Sequence, residues 1–190
     1  PFSLSLSWND GGYTNVWNTF SGLASYSLGD SGTIAFDASI APSRNFVAAS
    51  QIYDLMYSVT SGPWVFAPYV QYQHYDTLKA GGFTIAPSAS DWGVGVLGSY
   101  AFSDTWSLGG RVEYEDSSGD GSAFIYGPKS SAWSFTVTPT WHKSIYFVRA
   151  EASYTTVSDY LKFGPFGLGF GKNGDKSDQA RLMLETGIVF

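Results

Sequence analysis

Hydrophobic and polar residues alternate with a period of two along most of this chain. Over residues 131–142 one face reads Trp133, Phe135, Val137, Pro139, Trp141, and the other Ser134, Thr136, Thr138, Thr140, His142. The same alternation sets Trp64, Phe66, Pro68, Val70 and Tyr72 on one face of 64–75. It also sets Trp92, Val94, Val96, Gly98, Tyr100 and Phe102 on one face of 91–102, and Trp106, Leu108, Gly110, Val112 and Tyr114 on one face of 105–116. Successive side chains of a strand point to opposite faces, so each segment is a strand with one apolar side. A 3.6-residue helical period is hard to find anywhere. The pattern predicts ten strands, near 2–9, 16–28, 32–41, 51–60, 64–75, 91–102, 105–116, 131–142, 145–156 and 180–190.

The connections fall into two classes. Gly29-Asp30-Ser31-Gly32, Ser61-Gly62-Pro63, Ser103-Asp104 and Lys143-Ser144 are tight turns built from turn-forming residues. Between them lie longer connections near 10–15, 42–50, 76–90, 117–130 and 157–179. Short turns alternating with long loops is the connectivity of an outer-membrane barrel, with both termini on the periplasmic side. The expected fold is therefore all-β: a transmembrane antiparallel up-and-down β-barrel, a single domain over 1–190. About ten strands are visible in this chain, either a whole barrel or part of a larger one. A soluble β-sandwich is the competing reading. It would expose its second face to water as Lys and Glu, whereas that face is here mostly Ser, Thr, Gly and Ala. Pro68 and Pro139 fit neither reading well, because proline cannot donate to a strand ladder.

Aromatic residues stand at or near both ends of each apolar face. Trp64, Trp92, Trp106, Trp133, Trp141 and Phe190 are the candidate members of an aromatic girdle. Eight residues of tilted strand between them cover roughly 20 Å, close to the height of a lipid-facing band. Composition agrees. Of the 190 residues, 18 % are aromatic and only 14 % charged, where soluble proteins average about a quarter charged. No run approaches the 18 apolar residues of a transmembrane helix, and with no cysteine there is no disulfide framework or thiolate site. The net charge of −6 argues against a nucleic-acid partner. The chain opens directly into strand, so a removed signal peptide or further upstream sequence is expected. The last strand stops on Phe190, as the closing strands of bacterial outer-membrane barrels very often do.

Mid-strand charges share the face opposite the aromatics. By parity these are Asp37, Asp54, Arg111, Glu113, Glu115, Arg149, Glu151, Arg181 and Glu185. None falls on the expected lipid face, where a charge at the midplane costs about 2–4 kcal/mol. Arg111-Val112-Glu113 and Arg149-Ala150-Glu151 repeat one spacing. Strands 145–156 and 180–190 are sequence neighbours, so Arg149, Glu151, Arg181 and Glu185 are expected to pair across the wall. The candidate lumen set is Arg111, Glu113, Glu115, Arg149, Glu151, Arg181 and Glu185. These residues either line a constriction that selects solutes or fill a narrow lumen with a polar network.

The run Gly93-Val94-Gly95-Val96-Leu97-Gly98-Ser99-Tyr100-Ala101-Phe102-Ser103-Asp104-Thr105-Trp106-Ser107-Leu108-Gly109-Gly110-Arg111-Val112-Glu113-Tyr114 resembles the strand–turn–strand pattern of β-barrel porins of the OmpL-like type. So does Phe135-Thr136-Val137-Thr138-Pro139-Thr140-Trp141 with Val148-Arg149-Ala150-Glu151-Ala152-Ser153-Tyr154. The resemblance covers about 90–190; earlier strands match as generic barrel strands. It implies an outer-membrane channel of undefined substrate with no catalytic motif. Members are typically longer, with more strands than the ten read here.

Catalytic chemistry has little to stand on. Only His74 and His142 exist, so a Ser-His-Asp site needs one of them beside an inward Ser and Asp. The glycine-rich run 164–174 matches no nucleotide motif and reads as an external loop with aromatic anchors, or an inward plug. The segment 115–121 departs from calcium-loop spacing and reads as a solvated acidic loop. No catalytic residue, metal or cofactor is expected. The functional expectation is a porin of the Gram-negative outer membrane, passing small hydrophilic solutes or ions by passive diffusion. The alternative is a non-conducting barrel whose external loops bind a partner. Outer-membrane lipid and small solutes are the expected partners.

Overall fold

The computed structural model describes residues 1–10, 17–41, 50–120 and 126–189. Its strands are β1 Phe2–Asp10, β2 Trp17–Ser27, β3 Thr33–Ile40, β4 Gln51–Ser61, β5 Trp64–Tyr75, β6 Leu78–Ala80 and β7 Phe83–Ala86. They continue as β8 Ala89–Ala101, β9 Trp106–Gly119, β10 Ser131–Lys143, β11 Tyr146–Ser158, β12 Lys162–Phe163, β13 Phe166–Gly167 and β14 Asp178–Ile188. Ten of them form one sheet in the order β1-β2-β3-β4-β5-β8-β9-β10-β11-β14, each pair antiparallel. These are the ten strands the alternation predicts, and the sequence order of the strands is kept across the sheet. The pairs β6–β7 and β12–β13 are separate short hairpins within the long connections 76–88 and 159–177. At the turn end, Gly62 holds a left-handed φ of 55° between β4 and β5, a conformation that glycine adopts without a side-chain clash.

The sheet is a single layer and is not closed. β1 pairs only with β2, and β14 only with β11. No second large sheet covers the apolar face, so the sandwich reading fails among the described residues. Leu182 is 79 % exposed, Leu184 75 % and Leu6 75 %. Accessible surface totals 12084 Å², against about 8,900 Å² for a compact soluble protein of this mass. The buried apolar residues Ala132, Val157 and Tyr160 form a small cluster at the loop end, joined by Tyr126 and Phe170. Stabilisation thus rests on strand ladders and cross-strand side-chain pairs rather than on an interior core.

The register accounts for both mid-strand prolines. The β5–β8 ladder runs unbroken through Pro68 opposite Val96, and β9–β10 through Pro139 opposite Leu108. On the other side of each proline the ladder breaks. β4–β5 jumps from Met56–Tyr69 to Val59–Phe66, and β10–β11 from Val137–Ala152 to Thr140–Arg149. Each proline therefore directs its missing donor into one neighbour only, and the sheet yields along that seam.

The glycine-rich connection before β14 is a hydrogen-bonded structure rather than a loose loop. Gly167 N–H donates to Asn173 O at 2.9 Å, Gly169 N–H to Gly174 O at 2.8 Å, and Phe170 N–H to Lys176 O at 2.7 Å. A Cβ on Gly169 or Gly174 would collide with facing backbone oxygens, which is why this stretch needs glycine. Phe170 meets Tyr126 edge-on at 5.3 Å, tying the loop to the neighbouring connection.

Candidate channel lining

Register shows which side chains share the polar face. Asp37 stands opposite Asp54, Asp54 opposite Gln71, and Gln71 opposite Gly93. Gly93 faces Glu115, Gly95 faces Glu113, and Leu97 faces Arg111. Across β10 the row continues through Ser134, Thr136, Thr138 and Thr140 to Arg149 and, on β14, Glu185. All seven predicted lumen residues thus lie on one face. The sheet curls toward that face. An open hollow of about 370 Å³ is lined from five strands at once, by Val65, Leu97, Arg111, Thr136, Thr138 and Glu151 among others.

Hydrogen bonds knit this face sideways. Arg111 Nε lies 2.9 Å from Glu113 Oε2. Glu113 also accepts the hydroxyl of Tyr69, two strands away. The Tyr69 ring crosses Gly95 to get there; a Cβ at Gly95 would lie 2.6 Å from it. Gln71 donates to Asp54 at 2.7 Å and Gln73 to Gln71 at 2.9 Å, with the Tyr75 hydroxyl donating to Gln73 at 3.1 Å. Arg149 donates from Nε to Glu185 at 3.0 Å, and a second bond from the same guanidinium joins them.

The expected four-residue network around Arg149 forms only in half. Register sets Glu151 opposite Met183 and Arg181 opposite Ser153, one row out of step. Arg181 turns to the Met183 sulfur at 3.4 Å instead, and Glu151 has no ion-pair partner among the described residues. Glu115 lies in β9, which continues to Gly119, so the acidic segment 115–119 is strand and not loop. Asp120 beyond it pairs with Lys129 at 3.1 Å. No cluster of three His, Asp or Glu suited to a metal ion occurs among the described residues.

At the loop end a second hollow is lined by Glu113, Glu115, Tyr126, Ala132, Ser134 and Thr155. Burial, and then the nearby Glu115 carboxylate, raise the pKa of the Tyr126 hydroxyl above its ordinary value. The hydroxyl therefore stays protonated through neutral pH over the mouth of this face.

Aromatics gather at both ends of the opposite face. Near the turns, Trp64 packs on Tyr100 at 4.5 Å and Tyr100 on Phe102 at 5.0 Å, while Trp106 and Trp141 are register partners. Near the loops, Tyr114 lies between Trp92 at 5.7 Å and Trp133 at 4.9 Å. The band between the clusters holds Val94, Val96, Leu108, Val112 and Val137, with no charge. Phe190 lies outside the described residues.

His74 contacts Ser90 at 2.8 Å through Nδ1 and Asp76 at 3.3 Å through Nε2. His74 and Ser90 lie on the apolar-face parity, Asp76 just past the end of β5, and the imidazole nitrogens are used in the reverse order to a hydrolase relay. The Ser90 hydroxyl is also shared with Tyr72 at 3.1 Å.

A charged, hydrogen-bonded inner face backed by a girdled apolar one is the anatomy of a membrane barrel wall. The sequence model of the family described as putative beta-barrel porin-2, OmpL-like, matches residues 1–190. The chain belongs to this family. The match spans the whole chain, so the first ninety residues carry the family pattern as well as the C-terminal half. No curated protein and no solved structure matches it.

In this member of the OmpL-like family, sequence reading put the charges on one face and missed the residues that hydrogen-bond to them. Tyr69 and Gln71 act through register, which one strand alone does not reveal. A signal was present for Tyr69, a large aromatic in the middle of a β5 face that otherwise reads Val65, Ala67, Gln71, Gln73 and, at its end, Tyr75.

Proposed function

We propose that this chain forms a channel in the bacterial outer membrane that passes small hydrophilic solutes or ions by passive diffusion. The hollow lined from five strands carries the reading, because it combines Arg111, Glu151 and threonines on a face turned away from the apolar band. Polar inner walls of this kind hydrate a solute path, and their charges set its selectivity. Outer-membrane lipid would contact the apolar face between the two aromatic clusters.

Planar-bilayer recording of the protein tests this. Discrete conductance steps are expected, and Arg149→Ala should shift ion selectivity toward cations, since Glu185 then stands unneutralised. Absence of steps would sink the channel reading. The second reading, a non-conducting binding barrel, draws on the Tyr126–Phe170 contact that joins two long loops at the mouth. A silent bilayer with heat-modifiable gel migration would favour it.

A further inference from the structure

Resting on the channel reading, we propose that the hollow between Arg111 and Glu151 is a binding subsite for small zwitterions of the α-amino-acid class. Two opposite charges line one open hollow without pairing with each other. Arg111 spends Nε on Glu113, and its two terminal nitrogens make no hydrogen bond among the described residues. Glu151 makes no ion pair among the described residues, and its register partner on β14 is Met183. Both charges therefore keep hydrogen-bonding capacity for something that enters.

Their spacing suits a ligand with both signs. Arg111 lies on β9 and Glu151 on β11, with β10 between them. Arg111 faces Thr136, whereas the row of Glu151 passes through Thr138. Two strand spacings and two residues separate their Cα atoms by about 12 Å. Both side chains stand on the same face, flanking β10, so a ligand carrying both signs could lie across that strand between them.

An independent observation marks the same place. Thr136 is only 7 % exposed, lines this hollow, and its Oγ1 has no hydrogen-bond partner. A buried hydroxyl without a partner is unfavourable, and a polar ligand seated against Thr136 would supply one. Gly109 keeps the wall beside Thr138 free of side chain, while Val65, Ala67 and Leu97 supply an apolar floor. That floor suits a small aliphatic side chain. A free anion or cation would satisfy one charge and leave the other.

Four solutes of nearly equal size test the idea: alanine, lactamide, lactate and alaninamide, carrying both charges, none, a negative one and a positive one. In liposomes containing the full chain, alanine is expected to permeate several-fold faster than lactamide. In Glu151→Gln and in Arg111→Met that preference should vanish while the lactamide rate persists. Saturation-transfer NMR on the detergent-folded protein reads binding without any requirement for conduction. Alanine should saturate, and each variant should weaken it about tenfold. Alanine saturation with no permeation by any solute would keep the subsite and overturn the channel. Equal permeation of all four solutes with no alanine saturation would overturn the subsite and keep the channel. Neither permeation nor saturation overturns both.

Discussion

Tyr69 shows how single residues build this inner wall. A tyrosine standing on a strand cannot reach two strands away unless the residue between is small. Gly95 is that residue, and the ring lies over it to bring the hydroxyl to Glu113. Gly95→Ala would set a methyl group 2.6 Å from the ring. We expect it to destabilise the barrel by about 1–3 kcal/mol, as overpacking does. Gly98→Ala, whose nearest neighbour would be Val65 O at 3.7 Å, should be tolerated. Thermal unfolding followed by gel mobility separates the two variants. Equal midpoints would mean that Tyr69 does not depend on Gly95.

The strands carry the next lesson. Both prolines interrupt one ladder and leave the other whole, so the β10–β11 seam should be weaker than β9–β10. Hydrogen exchange is expected to be faster for β11 amides flanking Ala150 than for β9 amides flanking Val112. Pro139→Val restores a donor and should slow that exchange, adding about 1 kcal/mol of stability. Unchanged protection would show that the seam is already closed. The ten strands were legible in the sequence because the two faces of each differ in chemistry, and a period of two then fixes existence and parity together. The prolines were not explicable from one strand, since their cost depends on which neighbour the missing N–H would have met. The hairpins β6–β7 and β12–β13 escaped because strands of two to four residues carry no readable alternation. That the charges share one face was legible by parity. Their pairing was not, because Arg181 falls opposite Ser153 and only register says so.

For the whole molecule, an uncovered apolar face predicts dependence on an amphiphile. Without detergent or lipid the protein should aggregate, and in detergent it should migrate differently before and after boiling. Monodisperse behaviour in plain buffer would contradict a lipid-facing band. The two proline seams also have a mechanical meaning. They divide the wall into panels: β1 to β4 with Asp37 and Asp54, then β5-β8-β9-β10 with Tyr69, Arg111 and Glu113, then β11 and β14 with Glu151, Arg181 and the Arg149–Glu185 pair. Within a panel the ladders run on, save for one shift at Asn9/Asp10 at the end of β1; between panels rows are missing. The wall is therefore elastically uneven, stiff inside each panel and compliant along two lines. Arg111 and Glu151 sit on opposite sides of one such line. A small flexing there changes the distance between them while leaving every hydrogen bond inside the panels intact.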